Sequence, residues 1–329
     1  MGRAQQSLLI IIGCTVLLIV IIDCVTAEFP LAIMSAQPMI IHNSSNKATC
    51  SSHSAAVQKE VVRLVIISDT HGYHERLTPS LPEGDILIHL GDFCNKGSAS
   101  DALEFANWVT KIAAIPSNQN QSPQHSLYEE IIVLEGNHDR SLCSAQTKGI
   151  QQLDLNRLFE RVASETDGKV QFLQDQMIQS RRYPRLKLYG ASWNSCAGDN
   201  FPSQFDLMGQ QEPPDIMLAH VNPYISPSIT SPQLESERHI HAWEGAERLS
   251  KTVLQNKIPL CMSGHVHWGR GMINVPHNNK QNNNKDSSSV FINAATLKSH
   301  RDGGILNEAV VVDYDLEERK PIRIRCPVL

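Results

Sequence analysis

The sequence predicts an α/β layered domain, and three observations carry that class. Short apolar, β-branched runs recur at residues 61–68, 86–90, 131–135, 186–190, 216–219, 259–263, 290–294 and 309–314. Segments with helical spacing fall between several of them, the alternation that builds layered α/β domains. Five of the runs end in an acid, an amide or an imidazole, at the strand edge where open α/β sheets hold ligands.

The chain has 329 residues, enough for one large domain or two ordinary ones. Its 41% apolar content places it with globular proteins. A net charge of −5 argues against a general nucleic-acid or anionic-membrane binder, so no nucleic-acid partner is expected. An anionic substrate stays open, because a bound cation resets the local field.

Taken in chain order, the N-terminus stands apart. Arg3 precedes an apolar run at 8–22, Asp23 ends it, and Val25-Thr26-Ala27 follow before Glu28. That is the grammar of a secretory signal peptide over 1–27. A signal-anchor retained through 8–22, or a buried segment, are the other readings. The run is short for a bilayer span, which needs about 20 apolar residues. With Arg3 on the cytoplasmic side, the first two readings put the rest in the secretory pathway, lumenal or extracellular, and membrane-anchored if uncleaved.

Residues 28–60 are polar and aperiodic and read as a linker or N-terminal arm; residues 61–329 form the domain. Asn43 and Asn120 open N-glycan acceptor patterns, the second weakened by Pro123. Outside the leader, Cys50, Cys94, Cys143, Cys196, Cys261 and Cys326 form no CxxC pair, which disfavours a zinc knuckle. The expected compartment permits disulfides, but a domain of this size does not need them.

Ala102, Phe105, Ala106, Val109 and Ile112 share one helical face, with Trp108 beside it. Leu153, Leu155, Leu158, Phe159 and Val162 make a second, and Ala246, Leu249, Val253 and Leu254 a third. Later strands have fewer helices between them, which predicts a second, partly antiparallel sheet. The polar, aperiodic stretches 117–126 and 277–289 read as surface insertions.

The strand ends carry the chemistry. Strand 61–68 runs into Asp69 and His71, which point the same way if the chain stays extended. Strand 86–90 ends in Gly91-Asp92, and 131–135 in Gly136-Asn137-His138-Asp139. Strand 216–219 ends in His220, and 259–263 in Gly264-His265-Val266-His267. One such end is a turn or a cap; five together are a site. Imidazole, carboxylate and one amide oxygen suit Mn, Fe or Zn. Seven candidate ligands exceed the need of one ion, whereas two divalent ions about 3.5–4 Å apart, bridged by a carboxylate, use them all.

The ordered blocks Asp69-Thr70-His71, Gly91-Asp92, Gly136-Asn137-His138-Asp139, His220 and Gly264-His265-Val266-His267 resemble the calcineurin-like metallophosphoesterases across about residues 61–315. The stretches GDILIHLGDFCNKG and LYGASWN are similar to its small metallophosphoesterase-domain-containing group of the brain-expressed type. The resemblance implies a β-sandwich with flanking helices. It implies that Asp69, His71 and His267 hold one metal, that Asn137, His220 and His265 hold the other, and that Asp92 bridges. It further implies that His138 assists the leaving group and that Asp139 orients His138; alone, Asp139 reads equally as a helix N-cap. His220-Val221-Asn222-Pro223 departs from the family's frequent His-Gly-Pro-Pro.

The implied reaction is hydrolysis of a small phosphate ester, most readily a diester, by a metal-bridging hydroxide. A phosphomonoesterase and a catalytically silent scaffold are the alternatives. No GxxxxGK loop is present, against a nucleotide-driven motor. Weaker candidates are Asn95 for a phosphate contact, His239, His241 and Trp243 for the substrate mouth, and Tyr224 and Trp268 for stacking a nucleobase, each with a turn, surface or packing role as its rival. Cys94 beside the site reads as a packing thiol.

Overall fold

A computed structural model describes residues 60–115, 127–139, 154–197, 212–225, 246–277, 287–299 and 304–327. The leader and nearly all of the arm, Asn43, Asn120, most of both polar insertions, Cys50, Cys143, His239, His241 and Trp243 lie outside the described residues. Among the described residues, no helix is long and apolar enough to cross a membrane.

Two six-stranded mixed sheets face each other. In spatial order the first is Lys320–Arg325 (β14), Val310–Asp315 (β13), Val61–Ile67 (β1), Ile86–His89 (β2), Glu130–Val133 (β3) and Val170–Phe172 (β4). The second is Gln176–Gln179 (β5), Lys187–Ala191 (β6), Ile216–Ala219 (β7), Leu260–Ser263 (β8), Ser288–Asn293 (β10) and Gly271–Pro276 (β9). Strands β1 to β4 pair in parallel, as do β6, β7, β8 and β10. The antiparallel partners β13, β14, β5 and β9 sit toward the margins. A short ribbon joins Leu297–Ser299 (β11) to Ile305–Leu306 (β12). The antiparallel pairing expected late in the chain is present, but it is shared between both sheets.

The period-2 alternation of each strand divides the core into layers. Val62, Leu64 and Ile66 of β1 point between the sheets and share a fully buried cluster with Leu188, Leu218, Met262 and Ile292. Val65 and Ile67 point the other way, into a cluster with Phe105, Val109 and Phe159. Those residues come from helices Ala99–Ala114 and Leu155–Glu165, called α2 and α3 after the one-turn helix α1, His74–Leu77. On the far side, Met217, Cys261 and Phe291 of the second sheet pack with Leu249 and Val253. Helix Trp193–Ala197 (α4) and helix Glu247–Gln255 (α5) lie in this half of the sequence. Both faces of both sheets are thus covered, which is why the central strands read as continuous apolar runs.

The carboxyl ends of β1, β2 and β3 in one sheet and of β7, β8 and β10 in the other meet at one edge. Ser68, just past β1, bridges Ala295, just past β10, and so joins the sheets there. Among the described residues, Cys94, Cys196, Cys261 and Cys326 are free thiols, as a core of this size allows.

Candidate metal centre

Six of the seven proposed ligands and His138 meet at this edge in three overlapping groups: Asp69, His71 and His267; His71, Asp92 and His138; and Asp92, His220 and His265. His71 Nε2 lies 3.2 Å from His267 Nε2, and His267 Nε2 lies 3.5 Å from Asp69 Oδ1. Asp92 Oδ2 stands between the sets, 3.8 Å from His71 Nε2 and 3.4 Å from His220 Nε2. Asn137 Oδ1 is 3.2 Å from His220 Nε2. Asp69, His71, Asp92 and His220 are buried. His265 and His267 belong to different groups, one for each cluster, although they are two residues apart.

The route by which these side chains converge differs from the extended-strand expectation. Asp69, His71, Asp92 and His265 have φ of 54°, 44°, 55° and 68°. An L-residue in this left-handed region costs about 1–2 kcal/mol, so strain is concentrated on the ligands themselves. The turns persist because the neighbouring loops fix them: Asp69 N–H donates to Gly91 O at 2.9 Å and His71 N–H to Asp92 O at 3.0 Å. The two loops also approach very closely. Gly91 has φ of +106°, and a Cβ on it would stand 2.7 Å from Gly136 N. A Cβ on Gly136 would collide with the Asp92 carboxylate.

Backbone carbonyls orient three of the rings. His220 Nδ1–H donates to Leu90 O at 2.9 Å, His267 Nδ1–H to Leu297 O at 2.6 Å and His138 Nδ1–H to Asn95 O at 2.7 Å. A neutral ring held in this way presents a lone pair at Nε2. The lone pairs of His220 and His267 then face carboxylate oxygens, which is repulsive unless positive charge lies between them. The donor set therefore fits divalent cations, with the outer hydrogen bonds expected around metal-ligating histidines. The same demand shows in the protonation equilibria. Burial opposes charge on His220, but the Asp92 and Asp69 carboxylates outweigh it and push its pKa up to about 9. Burial likewise opposes charge on Asp92, yet the His220 and His71 rings and the His138 N–H hold its carboxyl well below the ordinary range.

Asp139 is not an N-cap. Residues 137–139 are already helical, and its buried carboxylate accepts N–H bonds from Asp92, Cys94 and Gly136 at 2.7, 2.8 and 2.8 Å. It thereby ties the β2 loop to the β3 loop, while the His138 ring is held by the Asn95 carbonyl. Burial and the Asp92 charge raise the Asp139 pKa to about 7, against the pull of those N–H donors.

Several supporting residues escape sequence reasoning. His89 Nδ1 accepts from Gly91 N–H, so its Nε2–H donates to Thr70 Oγ1 at 2.9 Å, between Asp69 and His71. The Trp193 ring sits 5.0 Å from His265 and 5.6 Å from His220. The segment after β10 holds the first ligand group: Thr296 Oγ1 accepts from Ser68 N–H, Leu297 N–H donates to Asp69 O, and Asn293 Nδ2 donates to Val266 O. His89 and Trp193 fall inside GDILIHLGDFCNKG and LYGASWN, a signal that was present; Thr296 and Leu297 had none.

The departure at Val221-Asn222 has a structural counterpart. Buried Asn222 accepts from Ser263 Oγ at 2.8 Å, linking the ends of β7 and β8 that carry His220 and His265. Of the weaker candidates, Asn95 acts through its carbonyl on His138. Cys94 is a buried core thiol whose pKa burial pushes up. Trp268 is 62% exposed beside His267. Tyr224 is half-buried, its N–H bonded to Ala246 O.

Comparison with known proteins agrees with this geometry. A UPF0046 protein of Caenorhabditis elegans is 28% identical over 257 residues, covering 71% of this chain and 75% of its own length. Human metallophosphoesterase domain-containing protein 1 is 24% identical over 279 residues, covering 79% and 73%. The family model described as calcineurin-like phosphoesterase matches residues 62–269, from the start of β1 through the last histidine of the site. The chain belongs to the calcineurin-like phosphoesterase family and is a metal-dependent phosphoesterase.

Proposed function

We propose that this phosphoesterase cleaves phosphodiesters at a centre for two divalent ions. One observation carries the reading: a single carboxylate, Asp92, lies within 4 Å of a histidine from each of the two outer ligand groups. Asp69, His71 and His267 would hold one ion, Asn137, His220 and His265 the other, with Asp92 shared. Ions bound there supply Lewis acidity and a nucleophilic water at neutral pH.

The remaining work falls to the chain. The Asn95 carbonyl fixes Nδ1–H of His138, so the ring would meet substrate through Nε2. Protonated there, His138 stabilises the departing oxygen or gives it the proton. Asp139 keeps the β2 and β3 loops in register, so that Asp92 and His138 hold their separation. The apolar run at 8–22 and the small residues before Glu28 support action on a small phosphate ester in the lumen or outside the cell.

The test pairs metal analysis with two chromogenic substrates, a diester and a monoester, on residues 28–329 from a secretory host. About two ions per chain and faster diester turnover, both lost in Asp92→Ala, are the expected outcome. Faster monoester turnover makes the chain a phosphomonoesterase. No turnover after Mn or Zn loading removes the enzymatic reading.

A further inference from the structure

Arg270 lies past the residues that match the family model, three positions after His267. It is 6% exposed, yet its hydrogen bonds go to backbone carbonyls and not to a carboxylate. Its guanidinium donates to four backbone carbonyls: Nη1 to Ala294 O at 3.1 Å and Ala295 O at 3.0 Å, Nη2 to Glu308 O, and Nε to Pro327 O at 3.0 Å. Burying a guanidinium is costly, and burial lowers its pKa, so a site that keeps one must satisfy its donors. Here the planar fork gathers three stretches of chain: the segment after β10, the lead into β13 and the C-terminal tail.

The first of these stretches is the one that shapes the ligand group on its side of the site. Leu297 O receives Nδ1–H of His267, Leu297 N–H reaches Asp69 O, and Thr296 pairs with Ser68 in both directions. Asn293 accepts from Ala295 N–H and donates to Val266 O. The second group, around His220 and His265, leans mainly on Leu90, Asn222 and Trp193, and touches the first where His265 N–H donates to the Asp69 carboxylate. We infer that Arg270 is a positioning residue for one ion only: by pinning Ala294 and Ala295 it sets Leu297 and Thr296, and through them the orientation of His267 and Asp69. This rests on the two-ion reading above.

The experiment is calorimetric titration of the metal-free full chain with Mn²⁺ alone, resolving the two binding events in wild type, Arg270→Gln and Arg270→Lys. Loss of an outer hydrogen-bonding partner lowers metal affinity by about 10–100-fold. Arg270→Gln should weaken one event by about that factor and leave the other within about twofold. Arg270→Lys, which keeps the charge but not the fork, should fall between. A chain lacking residues 327–329 loses one acceptor and keeps the fork's other contacts, so it should weaken the same event by a smaller factor. It also serves if Arg270→Gln does not fold.

Unchanged affinities, or equal weakening of both events with Lys no better than Gln, would overturn the assignment and leave a purely structural pin. The two-ion reading is judged separately, on the wild type. A wild-type chain that takes up fewer than two ions removes that reading and this one together. Two tight events without hydrolysis of either substrate remove the diesterase reading alone.

Discussion

At the residue scale, the site is a set of strained side chains held by ordinary backbone hydrogen bonds. Four proposed ligands adopt left-handed φ, and each is locked by a hydrogen bond to a backbone group or a carboxylate of a neighbouring loop. His138 differs from the others. Its ring centroid lies 4.7 Å from that of His71, but its Nδ1 is committed to Asn95 O outside both proposed ion groups. Removing the ring should therefore spare metal binding. In His138→Gln, kcat on a diester should fall by about 10²–10⁴-fold, the usual span for a positioned acid, while ion stoichiometry stays at the wild-type value. Metal analysis beside steady-state kinetics checks it. Loss of an ion in the variant would make His138 a ligand, which its place in the group with His71 and Asp92 also allows.

At the scale of elements, the central strands were legible because both their faces are buried. The edge strands were not. β9 alternates buried and half-exposed or exposed positions, and β14 is largely exposed and contains Pro321, so neither gives a continuous apolar run. β4 has three residues, and β5 has four with none of them buried, so neither leaves an apolar run to read. The one-turn helix α1 was missed because one turn is too short for a period to register, and it carries a consequence for pH. His74 of α1 lies 5.3 Å from the Phe105 ring and 5.2 Å from the Trp108 ring of α2. It is 2% exposed, and its Nδ1 has no hydrogen-bond partner. Burial lowers its pKa to about 4, against the weaker opposing pull of Glu104 and Asp101. The unfolded chain takes up this proton near pH 6.5 and the folded chain only near 4, so stability is fully present above 6.5. It is lost as pH falls from 6.5 toward 4, by about 3 kcal/mol for this group. His74→Leu should be close to neutral at pH 8 and more stable than wild type at pH 4.5. Urea melts at the two values measure the difference, and an equal difference at both would refute the linkage.

On the scale of the whole molecule, the candidate site was readable because its ligands sit at strand ends in fixed order, so residue type and position coincide there. The carbonyls and second-sheet residues that aim those ligands were not, since a backbone acceptor such as Leu297 O or Asn95 O leaves no trace in residue type. What the fold adds is the meeting of two sheets. Asp69, His71, Asp92 and Asn137 come from the first sheet's edge, and His220, His265 and His267 from the second's. Ions held by this set would tie the sheets together across a core that is otherwise apolar. The unfolded chain scatters these residues over about 200 positions and has no comparable site, so metal should stabilise the native state by mass action. With free metal at 100 times Kd, each ion contributes about 2.7 kcal/mol, so two contribute about 5. For a domain near this size, about 1 kcal/mol moves Tm by roughly 2–4 °C. Chelation should therefore lower the wild-type Tm by on the order of 10–20 °C, and Mn²⁺ should restore it. Asp92→Ala, which breaks both ion groups at their shared member, should lose most of that response. Equal Tm values with and without chelator in the wild type would mean that the sheets are joined by packing alone and that metal, if bound, serves chemistry without holding the fold.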